Sequence, residues 1–198
     1  MLRIENLEVF GLQPVSLDVR RGKCLAVQGP SGSGKTLLLR AIADLDPAAG
    51  RVFLQDRERS SMSGPQWRRH VRYSAAEPGW WRDTVRSHFA ETDALEKQAK
   101  ALGLASGKLD QPITELSTGE RQRFALLRAV ADGPDVLLLD EPTGALDPKA
   151  TRQVETLVKR LLRSGVTVLL VSHDPAQVNR LAGRTCTIRG GRLTGGRS

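Results

Sequence analysis

Apolar and polar positions alternate early in the chain and give way later to solid apolar runs. Residues 2–9 alternate loosely and predict a first strand that ends at Phe10-Gly11. Val15–Val19 is apolar at every odd position, the signature of a half-buried strand. Arg21-Gly22 then turns the chain into Leu25-Ala26-Val27, a buried strand, and beyond Gly29–Thr36 the run Leu37–Ala43 reads as a helix. Asp46–Gly50 is a turn by its Pro and Gly content, and Arg51–Leu54 resumes as a strand. The middle of the chain changes character. Ser60–Pro65 reads as a loop, Gln66–Arg72 as a short helix leading into Tyr73-Ser74-Ala75, and Thr84–Leu102 as helix; Gly103–Pro112 is rich in loop residues. A small helical insertion, approximately residues 77–132, is therefore expected between two halves of a core.

Beyond it helix and strand alternate. Ser117 is placed to cap a helix from Thr118 to about Ala131, with Phe124, Leu127 and Val130 on one face. Val136–Leu139 and Val166–Val171 are continuous apolar strands; Pro148 starts a helix that runs to about Arg163, and Pro175–Leu181 forms another. Cys186–Ile188 and Arg192–Leu193 flank Gly190-Gly191 as a hairpin, and Gly195–Ser198 is expected to be a frayed tail. Alternating helices and unbroken apolar strands predict an α/β fold with a parallel central sheet.

Composition narrows the class. With 198 residues, 39% hydrophobic and 26% charged, the chain is expected to be one folded, soluble, intracellular unit over residues 1–198. No apolar run approaches the roughly 18 residues of a membrane span, and the N-terminus lacks the layout of a signal peptide. The two cysteines, Cys24 and Cys186, make no metal spacing and read as buried small apolar residues. The net charge of +8 suits either a nucleic-acid surface or a solvated or membrane-adjacent one; its arginines are spread along the chain rather than gathered in one block.

The chemistry starts at Gly29-Pro30-Ser31-Gly32-Ser33-Gly34-Lys35-Thr36, which fits the phosphate-binding loop G-x-x-x-x-G-K-[ST] between a strand and a helix. Glycines let successive N–H groups point at one anion, and the new helix adds its positive end. Lys35 is expected on the outer phosphates and the Thr36 hydroxyl on Mg²⁺. Asp140 and Glu141 follow the apolar strand Val136–Leu139, at the end where parallel sheets bind ligands. Asp140 is the candidate second Mg²⁺ ligand and Glu141 the candidate general base. A nucleoside triphosphate is the expected ligand.

Leu116-Ser117-Thr118-Gly119-Glu120 resembles the signature sequence, L-S-G-G-Q/E, of ATP-binding-cassette (ABC) ATPases, with Thr118 at the first glycine of the pattern. The resemblance covers essentially the whole chain. Gly144-Ala145-Leu146-Asp147 is similar to the D-loop, and Val171-Ser172-His173-Asp174 to the switch-histidine segment. The family fold is α/β, a P-loop NTPase core with a parallel central sheet, an antiparallel β subdomain and a small α-helical subdomain. ATP and Mg²⁺ are the implied cofactors. The resemblance implies that Ser117, Thr118, Gly119 and Glu120 touch the γ-phosphate held by a second copy, giving a head-to-tail dimer, and that His173 contacts the γ-phosphate and the attacking water. Phe10 is either the aromatic residue that stacks on adenine or part of the core.

One family motif departs. Aligning Tyr73 and Glu77-Pro78 with the usual Y-x-x-Q-E-P puts Ala76 where the Mg²⁺-contacting glutamine belongs. Either water or Glu77 would complete the shell, and slowed or differently coupled hydrolysis is expected. Among three competing functions, a small P-loop kinase leaves the signature and the His173 segment unexplained. A soluble ABC ATPase acting on nucleic acid or ribosomes is the alternative, but only residues 37–116 separate the loop from the signature, with no heptad array and no Cys pairs. The expectation is the ATPase subunit of a bacterial-type transporter, cytoplasmic and held to the inner face of the membrane by an integral permease, with no nucleic-acid partner. Trp80, Trp81 and Phe89 either line the groove for that permease or are buried in the helical lobe.

Overall fold

The computed structural model describes residues 1–90 and 94–195. Three strands open the chain: β1 (Leu2–Leu7), β2 (Val15–Val19) and β3 (Cys24–Gln28), followed by helix α1 (Lys35–Ile42). Strands β4 (Arg51–Leu54) and β5 (Arg57–Glu58), helix α2 (Gly64–His70) and strand β6 (Val71–Ser74) come next, then helices α3 (Leu95–Ala101) and α4 (Thr118–Val130). The chain closes through β7 (Val136–Asp140), α5 (Pro148–Arg163), β8 (Thr167–Val171), α6 (Pro175–Leu181), β9 (Arg184–Arg189) and β10 (Arg192–Thr194).

Ten strands form two sheets among the described residues. One is antiparallel in the order β2-β1-β4-β5; the other runs β10-β9-β3-β8-β7-β6 and is parallel except for its edge strand β10. The continuous apolar runs are explained by burial on both faces. Val27, Leu138 and Leu169 point into a core shared with α1 and the antiparallel sheet, while Leu137, Leu139 and Leu170 point into a second core with Phe124, Val154 and Val158 of α4 and α5. Cys24 lies in the second core and Cys186 in the first, both buried, as the sequence led us to expect. Because β3, β6, β7 and β8 run the same way, the loops that leave their carboxyl ends gather along one edge of the sheet.

The expected elements hold, with three adjustments. Helix α2 begins at Gly64 because Ser63 and Gln66 form a reciprocal cap, and it ends where Val71 and Arg72 join strand β6, not in the predicted helix. Residues 84–102 are not one helix: a short 3₁₀ turn at Arg86–His88 is followed by extended Phe89, and among the described residues of this range Leu95–Ala101 alone is α-helical. The break is a tertiary effect. Nε2 of His88 accepts the backbone N–H groups of Trp81 and Arg82, and Arg86 pairs with Asp110. Part of that predicted helix, residues 91–93, lies outside the described residues, as does the predicted tail from Gly196 on. No helix among the described residues is long and apolar enough to cross a membrane.

Candidate functional site

Strand β3 delivers the glycine loop to the sheet edge. Gly29 sits against β9, where a Cβ would lie 2.6 Å from the Ile188 carbonyl oxygen. Gly34 has φ 96° and is the N-cap of α1, with the Leu12 side chain 3.0 Å from where its Cβ would be. No side chain caps α1, so its positive end opens on the loop. Lys35 is buried and its Nζ donates to the carbonyls of Gly29 and Pro30, 2.9 Å each. The Thr36 hydroxyl donates to Oδ2 of buried Asp140 at 2.8 Å, joining residues 104 apart in sequence. A cavity of about 270 Å³ lies between Ser31–Leu37 on one side and Ala76, Asp140, Glu141, Val171 and His173 on the other.

Glu141 takes a backbone conformation unusual for a residue with a side chain, φ 47°. Its N–H donates to the Val171 carbonyl at 3.0 Å, and its own carbonyl accepts the side-chain amide of buried Gln122 at 2.7 Å. The carboxylate accepts the backbone N–H of His173 at 3.2 Å through Oε2. Oε1 stands 3.3 Å from Nε2 of His173 without the alignment of a hydrogen bond, so this buried oxygen has no donor from the protein. The following turn is fastened from α6, where buried Gln177 donates to the Thr143 hydroxyl at 2.8 Å. Asp147 works mainly as the cap of α5: its carboxylate accepts the N–H groups of Lys149 and Ala150, which hold its pKa below the ordinary range.

Ser117 and Glu120 form a reciprocal cap at the start of α4, Glu120 N–H to the Ser117 hydroxyl at 3.2 Å and Ser117 N–H to the Glu120 carboxylate at 2.8 Å. Burial pushes the Glu120 carboxyl up, but the Ser117 donor and Lys108, 3.4 Å away, more than offset it and leave its pKa lowered. Thr118 accepts a hydrogen bond from Arg121. Gly119 packs against the D-loop, with Leu146 and the Ala145 carbonyl within 3.1 Å of a hypothetical Cβ. None of Ser117–Glu120 lines the cleft of the glycine loop in this chain.

Phe10 is 92% exposed, so the core alternative fails. Its ring stands on the turn closed by Leu12 N–H to Val9 O, beside the Leu12 that touches Gly34. Ala76 lines the cleft, and Glu77 is exposed and outside its lining. Three residues escaped the sequence reading: Tyr73, whose hydroxyl donates to Oδ2 of Asp140 at 3.0 Å, Gln122 and Gln177. The signal for the two glutamines was a polar residue on the apolar stripe of an amphipathic helix. Tyr73 stood in the sequence only as the anchor of the Ala76 alignment, and its contact with Asp140 gave no signal because that partner lies 67 positions away.

Behind the cleft a groove of about 570 Å³ runs between α4 and the segment after β6, lined by Leu45, Tyr73, Ala75, Trp81, Phe89 and Arg128 among others. Trp81 is 69% exposed, while Trp80 and Phe89 are half-buried against the second core. The Arg128 guanidinium lies over both indoles, 4.4 and 4.5 Å from their centroids. Burial in the helical lobe thus holds in part for Trp80 and Phe89, while Trp81 and Phe89 line an open groove.

A glycine loop between β3 and α1, faced by an acid from the neighbouring end of the sheet, defines a P-loop NTPase. The chain matches the model of the ABC transporter family over residues 12–144 and belongs to that family. It is 38% identical over 194 residues to Protein STAR1 of Oryza sativa subsp. japonica, covering 92% of this chain and 56% of that one. It is 37% identical over 209 residues to the methionine import ATP-binding protein MetN of Rhodopseudomonas palustris (strain BisB5), covering 96% of this chain and again 56% of the relative. The chain thus spans little more than half the length of these relatives. A dimeric post-hydrolysis structure of the ATP-binding cassette MJ0796, bound to ADP and Pi, shares the fold with a TM-score of 0.82 at 23% identity, covering 98% of this chain and 97% of that one.

Proposed function

We propose that this chain is the ATP-binding and ATP-hydrolysing subunit of an ABC transporter, acting through a head-to-tail dimer. The observation that carries the reading is one cleft in which the Thr36–Asp140 pair, the Lys35 loop and Glu141 converge from three loops of the sheet edge. Gly29–Thr36 would wrap the phosphates with backbone N–H groups, and Lys35 would exchange its two carbonyl partners for phosphate oxygens. Two hard oxygen ligands, Thr36 and Asp140, suit Mg²⁺, which takes one or two protein ligands and completes its shell with phosphates and water. No cluster of three or more His, Cys, Asp or Glu among the described residues offers a competing metal cage. The cation, when bound, neutralises charge on the transferred phosphate.

Glu141 supplies the free oxygen, Oε1, to take a proton from water, and His173 stands beside it to orient that water. Ser117, Thr118, Gly119 and Glu120, which lie outside the lining of this chain's own cleft, would complete the cleft of a second copy, with Asp147 in the adjoining D-loop. Exposed Phe10 is free to stack on the adenine. Residues 77–132 serve as the helical lobe, and the groove at Trp81 and Phe89 is the docking place for an integral permease on the cytoplasmic side of the membrane. No nucleic acid is needed. Relatives named for import support the transport half of this reading.

The test is Glu141→Gln. ATP binding is expected to persist while hydrolysis falls about 100-fold or more, the ordinary worth of a general base, and an ATP-dependent dimer accumulates on size exclusion. A variant that hydrolyses at the parental rate removes Glu141 from the role. Recovery of the chain from detergent extracts without any membrane protein would remove the permease.

A further inference from the structure

Tyr73 both lines the 570 Å³ groove and touches an acid of the nucleotide cleft. Oδ2 of Asp140 is clamped from two directions, by Thr36 at 2.8 Å from the start of α1 and by Tyr73 at 3.0 Å from the end of β6. Three residues further on, Ala76 lines the cleft with a methyl group and no donor. The β6 segment therefore reaches the acid through residue 73 and not through residue 76.

From this arrangement we infer that Tyr73 is a positioning residue for the divalent cation: it fixes the Asp140 carboxylate and ties it to the groove, in place of the side chain absent at Ala76. The inference rests on the ATPase reading above and names how that site is regulated. Displacement of the tyrosine ring from the groove side would release one of the two donors that hold Asp140. Hydrogen bonds onto a carboxylate are the stronger kind, so loss of one is felt at the metal.

Tyr73→Phe removes only the hydroxyl and keeps the ring in place. Titration calorimetry of the full chain with ATP, with and without Mg²⁺, gives the factor by which the cation tightens ATP binding. Tyr73→Phe is expected to cut that factor about tenfold with the affinity for metal-free ATP unchanged, the worth of one hydrogen bond to a charged group at its lower end. Direct Mn²⁺ binding, followed by electron paramagnetic resonance in the presence of ATP, should weaken by the same factor. Introducing Ala76→Gln into the Tyr73→Phe chain should restore it. An unchanged Mg²⁺ factor in Tyr73→Phe overturns the inference, as does restoration failing in the double variant. A parent chain that binds no Mg²⁺·ATP overturns the ATPase reading itself, a result separable from the first because it appears before any substitution is made.

Discussion

At the scale of single residues, the candidate base occupies a strained position. A non-glycine residue at φ 47° costs on the order of 1–3 kcal/mol and persists because its surroundings fix it. Gln122 does much of that fixing from α4, since its amide is buried and ends on the Glu141 carbonyl. Gln122→Met keeps the volume and deletes the donor. It is expected to cost about 0.5–1.5 kcal/mol in urea unfolding, the net worth of one hydrogen bond, because the Glu141 carbonyl keeps the Gly144 N–H at 3.2 Å. The kcat should fall more than the affinity for ATP, because the phosphate loop is untouched. Equal loss of both would mean that Gln122 merely supports the fold. The cysteines give a simpler expectation. Burial pushes both thiols up to about 12 and places them in different cores, so neither can form the thiolate or meet the other. Folded protein at pH 8 should not react with an aromatic disulfide reagent, while both thiols react in denaturant; a fast-reacting thiol in the native state would show that one strand opens locally.

Helix α4 illustrates how one element serves two purposes. Ser117 caps it and, in the proposed dimer, would also face the partner's nucleotide, so a simple truncation confounds stability with function. Ser117→Ala is expected to lose about 1 kcal/mol of stability together with ATPase activity. Ser117→Asp is a good cap and should recover the stability, but it sets a carboxylate against the partner's phosphate and should leave the activity lost. Thermal unfolding alongside ATPase assays separates the two; recovery of both by Asp would make the cap the whole role. Capping chemistry also decided which elements were legible. Helices α5 and α6 carry Asp at the N-cap and Pro at the first position, and both start where the sequence placed them. Residues 84–102 have helical composition without such punctuation, and the contacts of His88 and Arg86 redirected them. Motifs were legible because adjacent residues carry them. Tyr73 was not, because its meaning comes from a contact across two strands.

For the whole molecule, the parallel strand order turns scattered motifs into one edge, a consequence that alternation of elements suggests but strand order completes. The same edge sets up an electrostatic conflict. The chain has a formal net charge of +8, and a head-to-tail dimer brings two such bodies together. Long-range repulsion between them acts through solvent, where salt at about 0.15 M screens it within roughly 8 Å. The attraction that closes the dimer is of another kind. In the proposed dimer it would run from Lys35, buried, and the N-terminus of α4 to phosphate groups enclosed between the subunits, where screening is weak. Salt should therefore weaken the opposing force more than the favourable one. For the Glu141→Gln chain held with Mg²⁺·ATP, the dimer dissociation constant measured by analytical ultracentrifugation is expected to fall several-fold between about 0.02 and 0.15 M salt. A constant that rises over this range would mean that exposed ion pairs, and not enclosed phosphates, hold the two copies together.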